Sequence, residues 1–431
     1  MKFRLPLVLL AVPLFALLIL FGTLPIQAQE PGTVISTQLR SKILGETRSY
    51  RVHMPATYRA FPTTRYPVLY MVDGDYNFHY VSGLLEQMST ISEQIPEVIL
   101  VGISDQGTTS YRRNMKPSLG KKDSGTATQF LDFLEKELIP KVESQYRTAD
   151  FRMLAGHSLG GLFTVNALLE RPALFDALIA ISPSLWWDNQ ALVRHAKKAF
   201  RTPSTQKAYL YLTLASEKEM GVKEMVKLLE KSAPPSLHWK FRHFTNESHD
   251  STGLPSLRWA FLDIFAGYEL TEELYFQTKG AEDILDHFQQ VQKRHGVEFL
   301  LPPVILGRIL YSYHRKDRLE EIAALESGIR KRFPASLPVF QLAKANLALE
   351  TQDWQEALSG YQSFIEAFPG SFEGYWGAAK AHHGLGEMEA AHQKMNRAQR
   401  LATRGAARRW RLNQLEADRR SLNLAPEAPE Q

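Results

Sequence analysis

Cysteine is absent from this 431-residue chain. Disulfides, thiolate metal sites and a cysteine nucleophile are therefore excluded, so any covalent catalysis must use another side chain. A large net charge is also missing. Lys and Arg number 51 against 46 Asp and Glu, a formal +5, and no dense basic tract appears in the first 300 residues. That balance gives no footprint for a nucleic-acid partner. No glycine-rich phosphate loop follows a first strand, which argues against a nucleotide enzyme. The adjacent His382 and His383 fall on a helix without carboxylate partners, and no other metal constellation is visible. Neither a metal nor a cofactor is expected.

The chain has one long apolar run. Lys2 and Arg4 precede it, it extends from Leu5 to about Leu24, and Ala28 follows before a polar start. This is the layout of a secretory signal, so residues 1–28 are predicted to direct export to the periplasm or beyond. An uncleaved membrane anchor is the alternative. The apolar fraction of 44% and charged fraction of 23% are those of a folded soluble protein. The length suits more than one core.

From about residue 36, short apolar runs alternate with amphipathic segments. Strands are predicted at 47–55, 66–72, 98–103, 151–155, 177–181, 208–214 and 237–244. Helices are predicted at 78–94, 126–145, 159–169, 191–200, 222–231 and 257–265. The runs after Tyr66 are continuously apolar, as in a parallel sheet covered on both faces. The expectation is a three-layer α/β domain over 33–268. After residue 270 the strand signal disappears, and a helical domain is expected over 270–424, with a Pro- and Glu-rich tail at 425–431. Ala357 and Ala391 lie 34 residues apart in similar contexts, and Ala323 lies 34 residues before Ala357. Helix pairs at that period, with small residues at the tight positions, are a tetratricopeptide-type pattern. An ordinary helical bundle is the alternative.

The segment "RMLAGHSLGGLF" places Ser158 between Gly156 and Gly160, after an apolar strand and before a helix. In α/β hydrolases the nucleophile occupies such a sharp strand-to-helix turn, and glycines two residues to either side remove colliding side chains. The turn puts the serine at a helix N-terminus, where backbone N–H groups favour developing negative charge. A base must take the hydroxyl proton, and the order in this fold is Ser, acid, His. His249 follows the last predicted strand and precedes the last helix. His238 and His243 lie inside that strand and read as packing or surface residues, and His157 reads as structural, pointing away across the turn. The acid should follow the strand "AYLYLTL". Glu219 is preferred there and Glu217 is the alternative, with the role of holding the imidazole in its working tautomer. Oxyanion donors are expected from the backbone of Leu159 and of Asp75, with Tyr76 as second choice.

These pieces resemble the esterase family of the α/β-hydrolase superfamily, which includes siderophore esterases, S-formylglutathione hydrolase and mycolyltransferases. The resemblance covers about residues 33–268 and rests on "YPVLYMVDGD", "QFLDFLEKELIPKVE", "LAGHSLGGLF", "ISPSLWW", "ASEKE" and "SHDS". The siderophore-esterase branch looks most similar. It implies Ser158, His249 and Glu219 as nucleophile, base and acid. One departure is Asn114, in "RNMKP", where relatives tend to carry an acid. The loop from 106 to 122 is basic, and Arg112 and Arg113 are candidates to meet an anionic substrate, unless they are only solvated surface. Trp186 and Trp187 are candidates for a pocket wall, unless one packs and the other is merely exposed.

The expected activity is exported serine hydrolysis of a small-molecule carboxylic ester through an acyl-enzyme. The alternatives are a hydrolase-fold scaffold that recruits a protein partner or self-associates through its repeats, and an acyltransferase using the same triad.

Overall fold

The computed structural model describes residues 34–119, 125–201, 207–404, 407 and 409–424. The predicted signal 1–28, the tail 425–431, and Lys121 and Lys122 of the basic loop lie outside the described residues.

Eight strands form one sheet: β1 (Val34–Arg40), β2 (Thr47–His53), β3 (Tyr66–Met71), β4 (Ile99–Ile103), β5 (Thr148–His157), β6 (Ala177–Ile181), β7 (Ala208–Leu214) and β8 (Leu237–His243). The order is β1-β2-β4-β3-β5-β6-β7-β8. Only β2 runs against the rest. The uniformly apolar β3, β4 and β6 are buried at every position, because helices cover both faces. β1 escapes the sequence reading because it is an edge strand of alternating exposure with a polar composition.

The helices of this part are α1 (Gly74–Glu86), α2 (Thr108–Met115), α3 (Ala127–Phe133), α4 (Ile139–Gln145), α5 (Leu159–Glu170), α6 (Trp187–Ala199), α7 (Val222–Ser232) and α8 (Gly253–Ile264). A π-turn at Leu134–Leu138 joins α3 to α4, so the predicted helix 126–145 is one continuous element. In α6, Asp188, Asn189 and Gln190 are left-handed, and regular helix begins near Ala191 as the apolar spacing indicates. α2 lies where the sequence suggests loop: "TTSYRRNM" has no apolar periodicity to reveal it. α1 and α8 pack with Leu69, Met71, Leu100, Met153 and Ile179 on one face. α3, α5, α6 and α7 pack with Val68, Tyr70, Val101, Leu154 and Leu178 on the other. Neighbouring positions of a strand thus feed opposite cores.

The remaining chain is helical: α9 (Glu272–Gln277), α10 (Ala281–His295), α11 (Pro303–Arg315), α12 (Leu319–Arg332), α13 (Leu337–Glu350), α14 (Trp354–Ala367), α15 (Phe372–Gly384), α16 (Met388–Arg404) and α17 (Arg409–Ser421). Helix pairs begin at Pro303, Leu337 and Phe372, and their second members at Leu319, Trp354 and Met388. Ala357 and Ala391 are fully buried, each three residues into its helix. The position three residues into α12 is Ile322, which is buried, while Ala323 is exposed. The first unit is therefore offset by one residue from the register that the alanine spacing suggests. His382 does have a carboxylate partner, with Nδ1 at 2.6 Å from Glu387, but among the described residues no group of three metal-ligating side chains occurs. No described helix is long and apolar enough to cross a membrane.

The helical part meets the sheet at the edge where β3 and β4 begin. Phe61, on the β2–β3 connection, inserts between helices with its ring 4.4 Å from Phe368 and 6.3 Å from Phe364. Glu93, just before β4, accepts hydrogen bonds from the N–H groups of Val304 and Ile305 at 3.0 and 3.2 Å and so caps α11. Ser158 lies at the opposite edge, where β5 ends.

Candidate active site

β5 ends at His157 and α5 starts at Leu159, so the whole turn falls on Ser158, at φ 58 and ψ −113. A non-glycine residue there costs roughly 1–3 kcal/mol, which the surrounding bonds must hold in place. The Ser158 N–H donates to the Ile181 carbonyl at 2.9 Å, and its own carbonyl accepts from Ser184 at 2.9 Å and Leu162 at 3.0 Å. The glycines have separate steric reasons. A Cβ on Gly156 would lie 2.4 Å from the Gly160 backbone, and one on Gly160 would lie 2.5 Å from the Asp73 carboxylate. The Ser158 hydroxyl sits 3.2 Å from that of Ser184, a buried residue on the loop after β6. Among the described residues no hydrogen bond joins Ser158 to His249.

His249 lies on the connection from β8 to α8, at the same edge. Its Nδ1 is 2.5 Å from Oε1 of Glu217. The acid preferred from the sequence, Glu219, is not brought to the histidine. It is exposed and left-handed at φ 60, where the chain turns away towards Gly221 and α7. The loop after β7 is tied to the histidine loop one residue before Glu217, by Ser216 N–H donating to Glu247 at 2.9 Å. That bond aims Glu217 at the imidazole. Counting along the sequence could not show how soon the loop turns. Burial works against the charged form of Glu217, but hydrogen bonding from His249, the local backbone and the Ser182 hydroxyl outweigh it and hold its carboxyl below the usual range.

His157 does not point away from the site. Its ring lies 4.4 Å from that of His249, tilted by 39°. Burial, and the facing His249 after it, push the His157 imidazole down to about 4, so it is a neutral plate near pH 7. His238 and His243 serve elsewhere. His238 is 3.4 Å from Asp263, and His243 Nε2 lies 3.0 Å from the Ala215 carbonyl.

The backbone donors divide as helix geometry dictates. Leu159 and Asp75 stand in the first turns of α5 and α1, ahead of the first intrahelical bond. The Tyr76 N–H donates to the Asp73 carbonyl at 3.2 Å and is already used. The Asp75 carboxylate accepts from Ser104 Oγ at 2.8 Å and Asp105 N–H at 3.0 Å. Arg112 and Arg113 are exposed on α2, with Arg113 at 3.6 Å from Glu46. Trp186 is 50% exposed, whereas Trp187 packs against the sheet core. Tyr76 and Leu254 are further exposed apolar side chains on the first turns of α1 and α8; the sequence reading considered only the backbone of Tyr76 and did not single out Leu254. Asn114 is buried, and its Oδ1 accepts from Thr126 at 3.1 Å before α3. It thus has a structural task where an acid was expected. Two cavities lie away from Ser158. One of about 330 Å³ is bordered by Ser36, Gln38, Ser49, Arg51, Asp75 and Ser104, and one of about 80 Å³ lies at the junction with the helical part.

A mostly parallel sheet with a strained serine at a strand-to-helix turn, and a histidine–glutamate pair at the same edge, is an α/β-hydrolase arrangement. Residues 41–251 match the family described as Putative esterase. The chain is 32% identical over 144 residues to the siderophore triacetylfusarinine C esterase of Aspergillus fumigatus, covering 31% of this chain and 49% of that protein. It therefore spans about half the length of that relative. It is 26% identical over 259 residues to the ferri-bacillibactin esterase BesA of Bacillus subtilis, covering 53% of this chain and 87% of the other. Among solved structures, an IroE-like serine hydrolase from Shewanella oneidensis aligns with TM-score 0.61 and 28% identity, over 69% of this chain and 99% of that one. An uncharacterised protein from Capnocytophaga ochracea aligns over 89% of this chain and all of that one, with TM-score 0.52 and 15% identity, a likeness of fold alone.

Proposed function

We propose that this protein is an exported serine hydrolase that cleaves carboxylic esters, with a siderophore-type ester as its substrate class. Ser158 attacks the ester carbonyl, and His249 takes its proton and passes it to the leaving alcohol. Glu217 holds the imidazole through Nδ1 and stabilises the imidazolium. Leu159 and Asp75 offer N–H groups to the tetrahedral oxyanion. Water activated by His249 then hydrolyses the acyl-enzyme. The observation that carries this reading is the 2.5 Å His249–Glu217 contact at the same sheet edge as the strained Ser158.

The substrate class rests on the siderophore esterases among the relatives. Arg112 and Arg113 on α2 suit an anionic substrate, and the exposed Trp186 suits aromatic rings. Export rests on the composition of residues 1–28. The helical part is read as tetratricopeptide-like from the spacing of its pairs, and it meets the sheet at the edge away from Ser158, so it is proposed not to act as a lid. Acyl transfer to an alcohol would use the same residues, and product analysis separates it from hydrolysis.

The test is turnover of p-nitrophenyl esters and of a ferric siderophore ester, alongside labelling by a fluorophosphonate. Ser158→Ala should abolish labelling and reduce turnover by about 10⁴-fold or more. Retained turnover in that variant would refute the assignment. A folded wild type that neither labels nor turns over ester would instead favour the scaffold reading.

A further inference from the structure

Two groups beneath the catalytic turn, one buried and one partly buried, have no part in the mechanism above. Asp73 follows β3 and is 4% exposed, and Tyr111 lies in the middle of α2. The Tyr111 hydroxyl donates to Asp73 Oδ1 at 2.5 Å and accepts from the Gly160 N–H at 2.9 Å. It also lies 3.3 Å from the His157 carbonyl. The other carboxylate oxygen of Asp73 accepts from the His157 N–H at 2.5 Å. One carboxylate and one phenol therefore grip the backbone on both sides of Ser158.

We propose that Asp73 and Tyr111 are a pair of positioning residues that set the backbone of the nucleophile turn, acting through His157 and Gly160 rather than by touching substrate. This rests on the hydrolase reading above. The first N–H groups of α5 have no intrahelical acceptor. Tyr111 takes the Gly160 N–H, which leaves the neighbouring Leu159 N–H for the oxyanion. Asp73 fixes the His157 peptide, and so the approach of β5 into the strained turn. Gly160 is a glycine because the Asp73 carboxylate occupies the space of its side chain. The same hydroxyl ties the turn to α2, the helix that carries Arg112 and Arg113.

The brace accepts both bonds best when Asp73 is ionised. Burial pushes this carboxyl up to about 7 against the bonds from Tyr111 and His157, and Asp105 adds to the rise. Tyr80 on α1 is a further titratable group that feels its charge. As pH falls through about 7, protonation puts an O–H against one of the two donors, and the turn loosens.

The experiment measures kcat and KM across pH for wild type, Tyr111→Phe and Asp73→Asn, with each rate divided by the amount of serine labelled by fluorophosphonate. Tyr111→Phe keeps the ring and removes only the hydroxyl. Its kcat per labelled site should fall about 10- to 100-fold with KM changed little, since small misplacements of reacting groups cost that much. Asp73→Asn should lower kcat similarly and remove the component of the wild-type pH profile near 7. Loss that tracks only the amount of labelled protein would mean a folding role and overturn the proposal. Wild-type kcat per site in Tyr111→Phe would also overturn it. No labelling of the wild type would refute the hydrolase reading itself, and the positioning role with it.

Discussion

The two ends of the sheet hold similar chemical groups and use them differently. Where the strands begin, Glu93 is a buried carboxylate and Glu97 a partly buried one, bound to N–H and hydroxyl groups. Glu93 caps α11, and Glu97 accepts from Thr57 N–H at 3.2 Å. Burial pushes Glu97 up to about 7. Where the strands end, Glu217 and His249 are part-exposed, and Glu217 is held low by its partners. A raised carboxyl at the first end marks desolvated structure, whereas the pair at the second end can meet a ligand. Perturbation alone does not mark a site; a group that is both aimed and accessible does.

That contrast is most sharply tested at the acid. Glu217→Gln should lower kcat about a thousandfold or more, as loss of the tautomer-fixing partner does in other triads, while Glu219→Gln should stay within about threefold of wild type. Steady-state kinetics on one ester decides it, and the reverse order would restore Glu219 as the acid. At the other end, Phe61→Ala should loosen the helical part, at a cost of about 3 kcal/mol read by urea unfolding, with kcat per labelled serine unchanged. A matching loss of kcat would mean that the two ends are coupled.

The smallest effect concerns pH. The folded carboxyl of Glu97 titrates at about 7 against an ordinary 4.5. Between those values the folded state holds more protons than the unfolded one, so stability falls as pH rises through that window. Asp73 titrates at about 7 too and adds a slope of the same sign. Glu97→Gln should remove the share due to Glu97, seen by comparing unfolding midpoints at about pH 5 and about pH 7.5. An unchanged slope would show that Glu97 stays ionised through folding.

Much of the candidate site's end of the sheet was legible from local pattern. The apolar runs placed β3 to β7 because buried strands admit few residue types. The glycines around Ser158 marked the turn because no side chain fits there. The order of elements indicated His249 for the same edge. What escaped were features without a local signal: the polar α2, the edge strand β1, and the one-residue offset that buries Ile322 in place of Ala323. The contact of the His157 ring with His249 was also hidden, since neighbours in a turn can point either way.

The sequence alone set the α/β alternation, the helical remainder and the sharp turn at Ser158, because periodicity and glycine sterics act over a few residues. Tertiary structure alone put Glu217 rather than Glu219 beside His249, joined Asp73 and Tyr111 beneath the turn, and set Phe61 and Glu93 against the helices. Each of these depends on where separate loops meet in space, and spacing along a chain does not encode the direction in which a loop turns.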